Sequence, residues 1–204
     1  LVLCLGVAAY LAVDLGAGAT DIGAVSMGLV TAGAAPHLAG DTLDQAIIRH
    51  IKRTQGLRVS AVTAEEIKCR VGTLDPDLAN GSLGSYAPST ATEDLQAYDV
   101  QLEEIPHVIE QALLPIYDEV AWLVEQLPPK ARAEIGANGI VLTGGTALLR
   151  GLPDHMAEVL GVPVQVATDP LSSTILGLQS ILNDMSALSL EGRRFRYAMA
   201  MGLY

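Results

Sequence analysis

The sequence is poor in several side chains whose scarcity excludes whole classes of protein. It holds two cysteines, Cys4 and Cys69, and one tryptophan and one phenylalanine in 204 residues. Two isolated thiols exclude a disulfide framework and a zinc ribbon, suit a reducing cytoplasm, and are expected to be free and buried. With so few large aromatics the core must be aliphatic; half of the chain is hydrophobic, enough for one large domain or two small ones. Cations are also scarce, 12 Lys and Arg against 23 Asp and Glu, for a net charge of -11. That balance argues against nucleic acid and an anionic membrane surface as partners, because both need clustered cations to replace counterions. An anionic ligand would need a metal ion and local dipoles to enter. No apolar run reaches the ~20 residues that span a bilayer. The opening "LVLCLGVAAYLAV" is 13 residues long, lacks the basic flank of a signal peptide, and reads as a buried strand. His37, His50, His107 and His155 have no H-E-x-x-H or C-x-x-C companion, so no metal pattern exists. There is no G-x-S-x-G elbow, and Ser172 and Ser173 read as first-turn helix residues.

What is present is glycine placed at the ends of apolar runs. Residues 10–31 read as a strand, a small-residue tip at Gly16 to Ala19 and a second strand, the pattern of a β-hairpin. "AGDTLDQAIIRHIKRTQG" reads as a helix with Asp41 as N-cap, Leu43, Ala46, Ile47 and Ile51 on one face, and Gly56 as its stop. "VTAEEIKCRVG" starts a second helix with Thr63 and Glu66 spaced as a capping box. From Asp75 to Thr92 the composition turns to Asp, Pro, Ser, Gly and Asn, marking a loop-rich insertion. A long amphipathic helix follows, expected to kink near Pro115 and to end at Pro128 and Pro129. Beyond it, "GIVLTGG" is an apolar strand breaking at Gly144 and Gly145, and "TALLRG" is a short helical segment. Pro153 is expected at N1 of the next helix; "VPVQVAT" is a strand; Asp169 and Pro170 supply an N-cap and N1 for the last helix. Strands alternating with helices imply an α/β layer domain with partly parallel pairing.

Three stretches carry candidate chemistry. At the hairpin tip after Asp14, small residues allow close backbone approach and successive N–H groups can cradle an anion, while Asp14 can hold a hydrated divalent cation. A purely structural turn has the same composition. "LTGGTALLRG" runs a strand through paired glycines into a helix start, which exposes N–H groups and lets a flat ring lie on bare backbone; a tight connection reads the same way. In "TAEEIK", Glu65 and Lys68 share a helical face, so that a carboxylate can accept ribose hydroxyls beside a lysine stem. A surface ion pair has the same spacing.

In this order, "VDLGAGATD", "GDTLDQAI", "TAEEIK", "IVLTGGTALLRGLP" and "DPLSSTILG" resemble the second half of the actin-like ATPase superfamily, most closely the bacterial MreB family. The five collinear segments run from Val13 to about Leu182. The resemblance implies an actin/Hsp70-like, ribonuclease H-like α/β fold, a mixed sheet flanked by helices with a small loop-rich α+β subdomain. It divides the chain into a nucleotide-binding subdomain, 1–40 with 139–204, and a helical smaller subdomain, 41–138. It further implies that ATP and Mg²⁺ are the cofactors. Asp14 would hold Mg²⁺ through water, and Gly16, Ala17, Gly18, Ala19 and Thr20 would wrap the β- and γ-phosphates with backbone N–H groups. Gly40, Asp41, Glu65, Glu66, Lys68, Gly144, Gly145, Thr146 and Ala147 would surround the nucleoside. Ala17 and Ala19 depart from a family loop richer in Gly and Thr, which weakens the phosphate grip, and Glu66 stands where a basic residue is common.

The resemblance implies filaments by self-association in the cytoplasm at the inner face of the membrane, with cell-wall or division machinery as partners. The first phosphate loop and the residue that orients the attacking water belong to the family's preceding half and have no match here. This chain alone is therefore expected to hydrolyse ATP slowly or not at all, since phosphoryl transfer needs positioning from both sides. Other classes carry the same motifs: a non-polymerising FtsA-like or PilM-like adaptor, a chaperone-type ATPase, or a nucleotide-free interaction module. "EGRRFRYAMAMGLY", at the end of the sequence, mixes three arginines with apolar residues and reads as a docking segment or a poorly ordered tail.

Overall fold

The computed structural model describes residues 9–183 apart from 28, 80 and 93. Cys4, the first residues of the opening apolar run and the arginine-bearing terminal segment lie outside the described residues. The expected hairpin forms from β1 (Tyr10–Leu15) and β2 (Thr20–Ser26), whose antiparallel register brings Leu15 opposite Thr20 across the Gly16 to Ala19 tip. A third strand, β3 (Leu29–Ala34), continues the antiparallel run. Its sequence, small and glycine-containing, gave no alternation to mark it in advance.

Helix α1 (Gly40–Gln55) follows, then α2 (Ala61–Val71), and each ends at a left-handed glycine, Gly56 and Gly72. The N-caps differ from expectation. Ala39 precedes α1, which places Asp41 inside the first turn. Ser60 caps α2 by accepting the Thr63 N–H at 3.1 Å, so Thr63 and Glu66 do not form the cap. The polar stretch beyond contains β4 (Ser82–Pro88), paired with β5 (Leu95–Gln101) as a separate antiparallel ribbon. Helix α3 (Ile105–Gln126) is continuous through Pro115, and α4 (Pro129–Asn138), absent from the sequence reading, starts at the second proline. Then come β6 (Ile140–Thr143), α5 (Leu152–Leu160), β7 (Val164–Val166) and α6 (Ser173–Asn183). Pro153 is the second residue of α5 rather than its first, and α6 begins three residues after Pro170. Asp169 nonetheless receives the Ser172 N–H at 3.3 Å, as a cap would.

The main sheet has the order β3-β2-β1-β6-β7, with β1 parallel to β6 and β6 parallel to β7. Alternation along the strands decides what each face covers. Leu11, Val13, Leu15, Ile22, Ile140 and Leu142 join the apolar stripes of α1 (Leu43, Ile47, Ile51) and α3 (Ile109, Leu113, Ile116, Val120) in one buried aliphatic cluster. The opposite face holds a smaller cluster of Tyr10, Val25, Val141 and Ala167. Among the described residues no helix is long and apolar enough to cross a membrane.

A polar chain ties α3 to α5, running from the buried Tyr117 at the edge of the core toward the surface. The Tyr117 hydroxyl lies 3.1 Å from His155 Nδ1, His155 Nε2 lies 3.2 Å from Glu110 Oε1, and His107 Nδ1 lies 3.2 Å from Glu110 Oε2. A carboxylate can only accept, so both histidines donate to it and the Tyr117 hydroxyl donates to His155. The His107 hydrogen bond chiefly, with help from His155, holds the Glu110 carboxyl below its usual range, against the opposing effect of burial. Burial also pushes the Tyr117 phenol up, so it stays a donor. A lowered carboxyl stabilises the fold above the ordinary glutamate range and loses that contribution as pH falls through its lowered value. Glu110→Gln is therefore expected to lower the Tm near neutral pH, with the deficit shrinking as pH is taken from about 6 to about 3; thermal unfolding across that range measures it.

Candidate functional site

Because β1 and β6 are parallel neighbours, the bends that follow them emerge at the same carboxyl edge of the sheet, where open α/β sheets place their ligands. The first bend is the hairpin tip. Gly16 N–H donates to the Ala19 carbonyl at 3.1 Å, closing the turn on itself. The amides of Ala17, Gly18 and Ala19 have no partner among the described residues. Thr20 is fully buried, its N–H bonded to Pro36 O at 3.1 Å and its hydroxyl to Leu38 O at 2.6 Å. Its side chain and amide hold the turn to the segment before α1.

Helix α1 docks on the same tip. Gly40 N–H donates to Gly16 O at 3.0 Å and Asp41 N–H to Ala17 O at 2.8 Å. The leading amides of α1 are thus committed to the hairpin. A Cβ at Gly40 would lie 3.2 Å from Thr146 Oγ1 and 3.3 Å from Gly16 O, a tight contact that a side chain could enter only if the neighbouring segments gave by a few tenths of an ångström.

The second bend follows β6. Gly144 takes φ +86, and a Cβ there would fall 2.4 Å from Leu15 O and 2.6 Å from Asp14 Oδ1. Its N–H donates to Pro170 O at 2.9 Å, which also receives the Thr143 hydroxyl at 2.8 Å. A 3₁₀ turn, Gly145–Leu148, comes next; Thr146 Oγ1 donates to Gly16 O at 3.3 Å, stitching the second bend to the first.

Between the bends lies a cleft of about 400 Å³, lined by Gly16, Ala17 and Gly40 on one side, Gly145 and Thr146 on another, and Glu65 and Lys68 of α2 on a third. That volume matches a nucleoside-sized ligand. Leu148 and Leu149 supply apolar wall, and Cys69, expected to be buried, is exposed and lines the same cleft. The remaining candidates stand apart from the lining. Gly18 and Asp41 face each other at the rim, with a Cβ on Gly18 lying 3.7 Å from Asp41 Oδ2. Glu66 is exposed on α2 and Ala147 is buried beneath the turn. Asp14 lines a neighbouring groove, where its Oδ2 accepts the Thr174 hydroxyl at 2.9 Å. Among the described residues no group of three or more His, Cys, Asp or Glu could hold a metal ion.

One partner in the site was not singled out from the sequence. Lys68 Nζ lies 3.0 Å from Asp44 Oδ2, 2.9 Å from its Oδ1 and 3.3 Å from Gly40 O. Burial, opposed by Lys68, pushes the Asp44 carboxyl up, with Glu65 and Asp41 adding to the rise. The signal was an acid at the edge of the apolar stripe of α1, beside Leu43 and in line with Ile47 and Ile51.

A family model described as MreB/Mbl protein matches residues 6–190. Cell shape-determining protein Mbl of Bacillus subtilis (strain 168) is 33% identical over 176 residues, covering 86% of this chain and 53% of that protein. The crystal structure of MreB 5 of Spiroplasma citri bound to AMPPNP superposes with a TM-score of 0.84 at 26% identity, covering 91% of this chain and 56% of that one. The MamK double helical filament shares the fold, with a TM-score of 0.62 at 21% identity over 79% of this chain and 50% of that one. The neighbours are actin-like folds, which the mixed sheet flanked by helices fits. The chain spans about half the length of the curated relatives it matches.

Gly144, in the second bend, and Gly161, which ends α5, together make a direct test of close approach. Gly144→Ala combines strain at positive φ with overlap on the β1 backbone and is expected to lower stability by roughly 2–4 kcal/mol. Gly161→Ala, at φ +67 with nothing within 4 Å of its Cβ position, carries the strain alone; its loss should be about 1–2 kcal/mol. Denaturant unfolding of both variants reads the difference.

Proposed function

Since this chain belongs to the MreB/Mbl family of actin-like proteins, we propose that it binds Mg-ATP between its two glycine bends, and that the nucleotide governs self-association into cytoskeletal filaments that organise cell shape. The observation that carries this reading is that Gly16, Ala17, Gly145, Thr146, Glu65 and Lys68 line one cleft. The free amides of the hairpin tip suit the phosphates, which need hydrogen-bond donors and small residues around them. At the other end the Glu65 carboxylate accepts ribose hydroxyls, the Lys68 stem covers apolar ring surface, and the base lies against the bare backbone of Gly145. Asp14 offers one carboxylate, steadied by Thr174, at the end of β1. A single carboxylate fits a cation that keeps most of its waters, as Mg²⁺ does. Bound there, Mg²⁺ would screen the phosphate charge.

Thr20 enters this reading as the anchor of the phosphate loop. The subdomain division, 1–40 with 139–204 against 41–138, is part of the same proposal. So is a cytoplasmic place at the inner face of the membrane beside cell-wall or division machinery. The AMPPNP held by the Spiroplasma relative and the filament formed by MamK support the nucleotide and the assembly respectively.

Titration of the chain with a fluorescent ATP analogue is expected to saturate in the micromolar range when Mg²⁺ is present. Glu65→Ala should weaken binding about five- to tenfold, and Asp14→Asn should remove most of the gain that Mg²⁺ confers. Sedimentation with and without Mg-ATP reads assembly. A chain that takes up no adenine nucleotide at millimolar concentration ends the reading.

A further inference from the structure

The charge arrangement on the α1–α2 wall carries an inference about ligand orientation. Glu65 and Lys68 are the charged residues lining the cleft. Lys68 is not a free cation: its side chain is 12% exposed and it sits on an Asp44 carboxylate that is 8% exposed. An ammonium has three N–H donors. Two are committed, one to Asp44 Oδ2 and one to Gly40 O, which leaves one for a ligand. Arg150, the nearby guanidinium, bonds to the carbonyls of Val71 and Gly72 at the end of α2 and does not line the cleft. With Lys68 neutralised, the charge left among the lining residues is the Glu65 carboxylate, and Asp41 of α1 adds a second acid at the rim.

We propose that Asp44 is a positioning and specificity-determining residue: by pairing with Lys68 it makes the α2 end of the cleft a neutral-to-acidic wall that admits a nucleoside and excludes phosphate, so that a nucleotide enters in one orientation. This rests on the adenine-nucleotide reading and adds to it the device that sets direction. Glu65 is exposed, so its repulsion of an approaching polyphosphate is screened by solvent and strongest at low salt. A ribose or base edge meets one acceptor and one donor, fixed in place. Remove the Asp44 charge, and the ammonium is both unpaired and free to turn toward an anion.

The test uses the chain with three probes: ATP, adenosine and inorganic tripolyphosphate. Asp44→Asn is expected to tighten tripolyphosphate about tenfold and to weaken adenosine several-fold, opposite shifts that loss of structure would not produce. Asp44→Asn/Lys68→Gln, which removes both charges while keeping both shapes, should bind tripolyphosphate like the unaltered chain. Should Asp44→Asn fail to fold, Lys68→Gln is the substitute; it leaves the carboxylate uncompensated and should weaken tripolyphosphate several-fold. Unchanged tripolyphosphate affinity in the folded single variant, with ATP binding intact in the unaltered chain, overturns the inference alone. Absence of ATP binding in the unaltered chain overturns the nucleotide reading instead.

Discussion

The carbonyl oxygen of Gly16 accepts the Gly40 N–H at 3.0 Å and the Thr146 hydroxyl at 3.3 Å, so three segments distant in sequence meet at one atom. A carbonyl has two lone pairs, and here both are used. This junction fixes the hairpin tip against the start of α1 and against the turn after β6. It leaves little room for a side chain at position 40, and the next amides of the tip have no partner among the described residues. The cleft is the space that remains when those three segments are held at hydrogen-bond distance.

The sheet supplies the frame for that junction. Parallel pairing of β1 with β6 sends both strands the same way, and their outgoing loops can meet only at one edge. Leu11, Val13 and Leu15 alternate with Tyr10, Ala12 and Asp14, so the strand that buries three aliphatics on one face also delivers a carboxylate to the other. The aliphatic core beneath is continuous from the sheet through α1 and α3, which keeps the cleft wall on α1 from shifting independently of the strands.

How far this could be read from residues alone depends on whether the signal was local. The hairpin, the stripe on α1 and the stop at Gly56 were legible because periodicity and glycine chemistry act over a few residues. Strand β3 was hidden because in "LVTAGA" the two large side chains, Leu29 and Val30, are adjacent and do not alternate; β5 because its pairing partner, not its own pattern, defines it; α4 because "PKARAEIGAN" has almost no apolar face. The capping box at Thr63 and Glu66 was a plausible local pattern overridden by Ser60, three residues earlier, whose hydroxyl reaches the Thr63 amide. At the cleft, the glycine bends and the Glu65–Lys68 spacing were visible, whereas the bond from Lys68 to Asp44 joins residues 24 apart and is a product of packing α1 against α2. The exposure of Cys69 is of the same kind: helix periodicity places it, but only the neighbouring elements decide what lies in front of it.

The Pro170 carbonyl holds both Gly144 and Thr143, and Thr174 holds Asp14. The leading end of α6 is thereby riveted to the tips of two adjacent strands. Ile175 and Leu176, one and two residues further along, stand 63% and 50% exposed. Those exposed side chains thus sit on the same short segment whose backbone and hydroxyl groups hold the ends of β1 and β6.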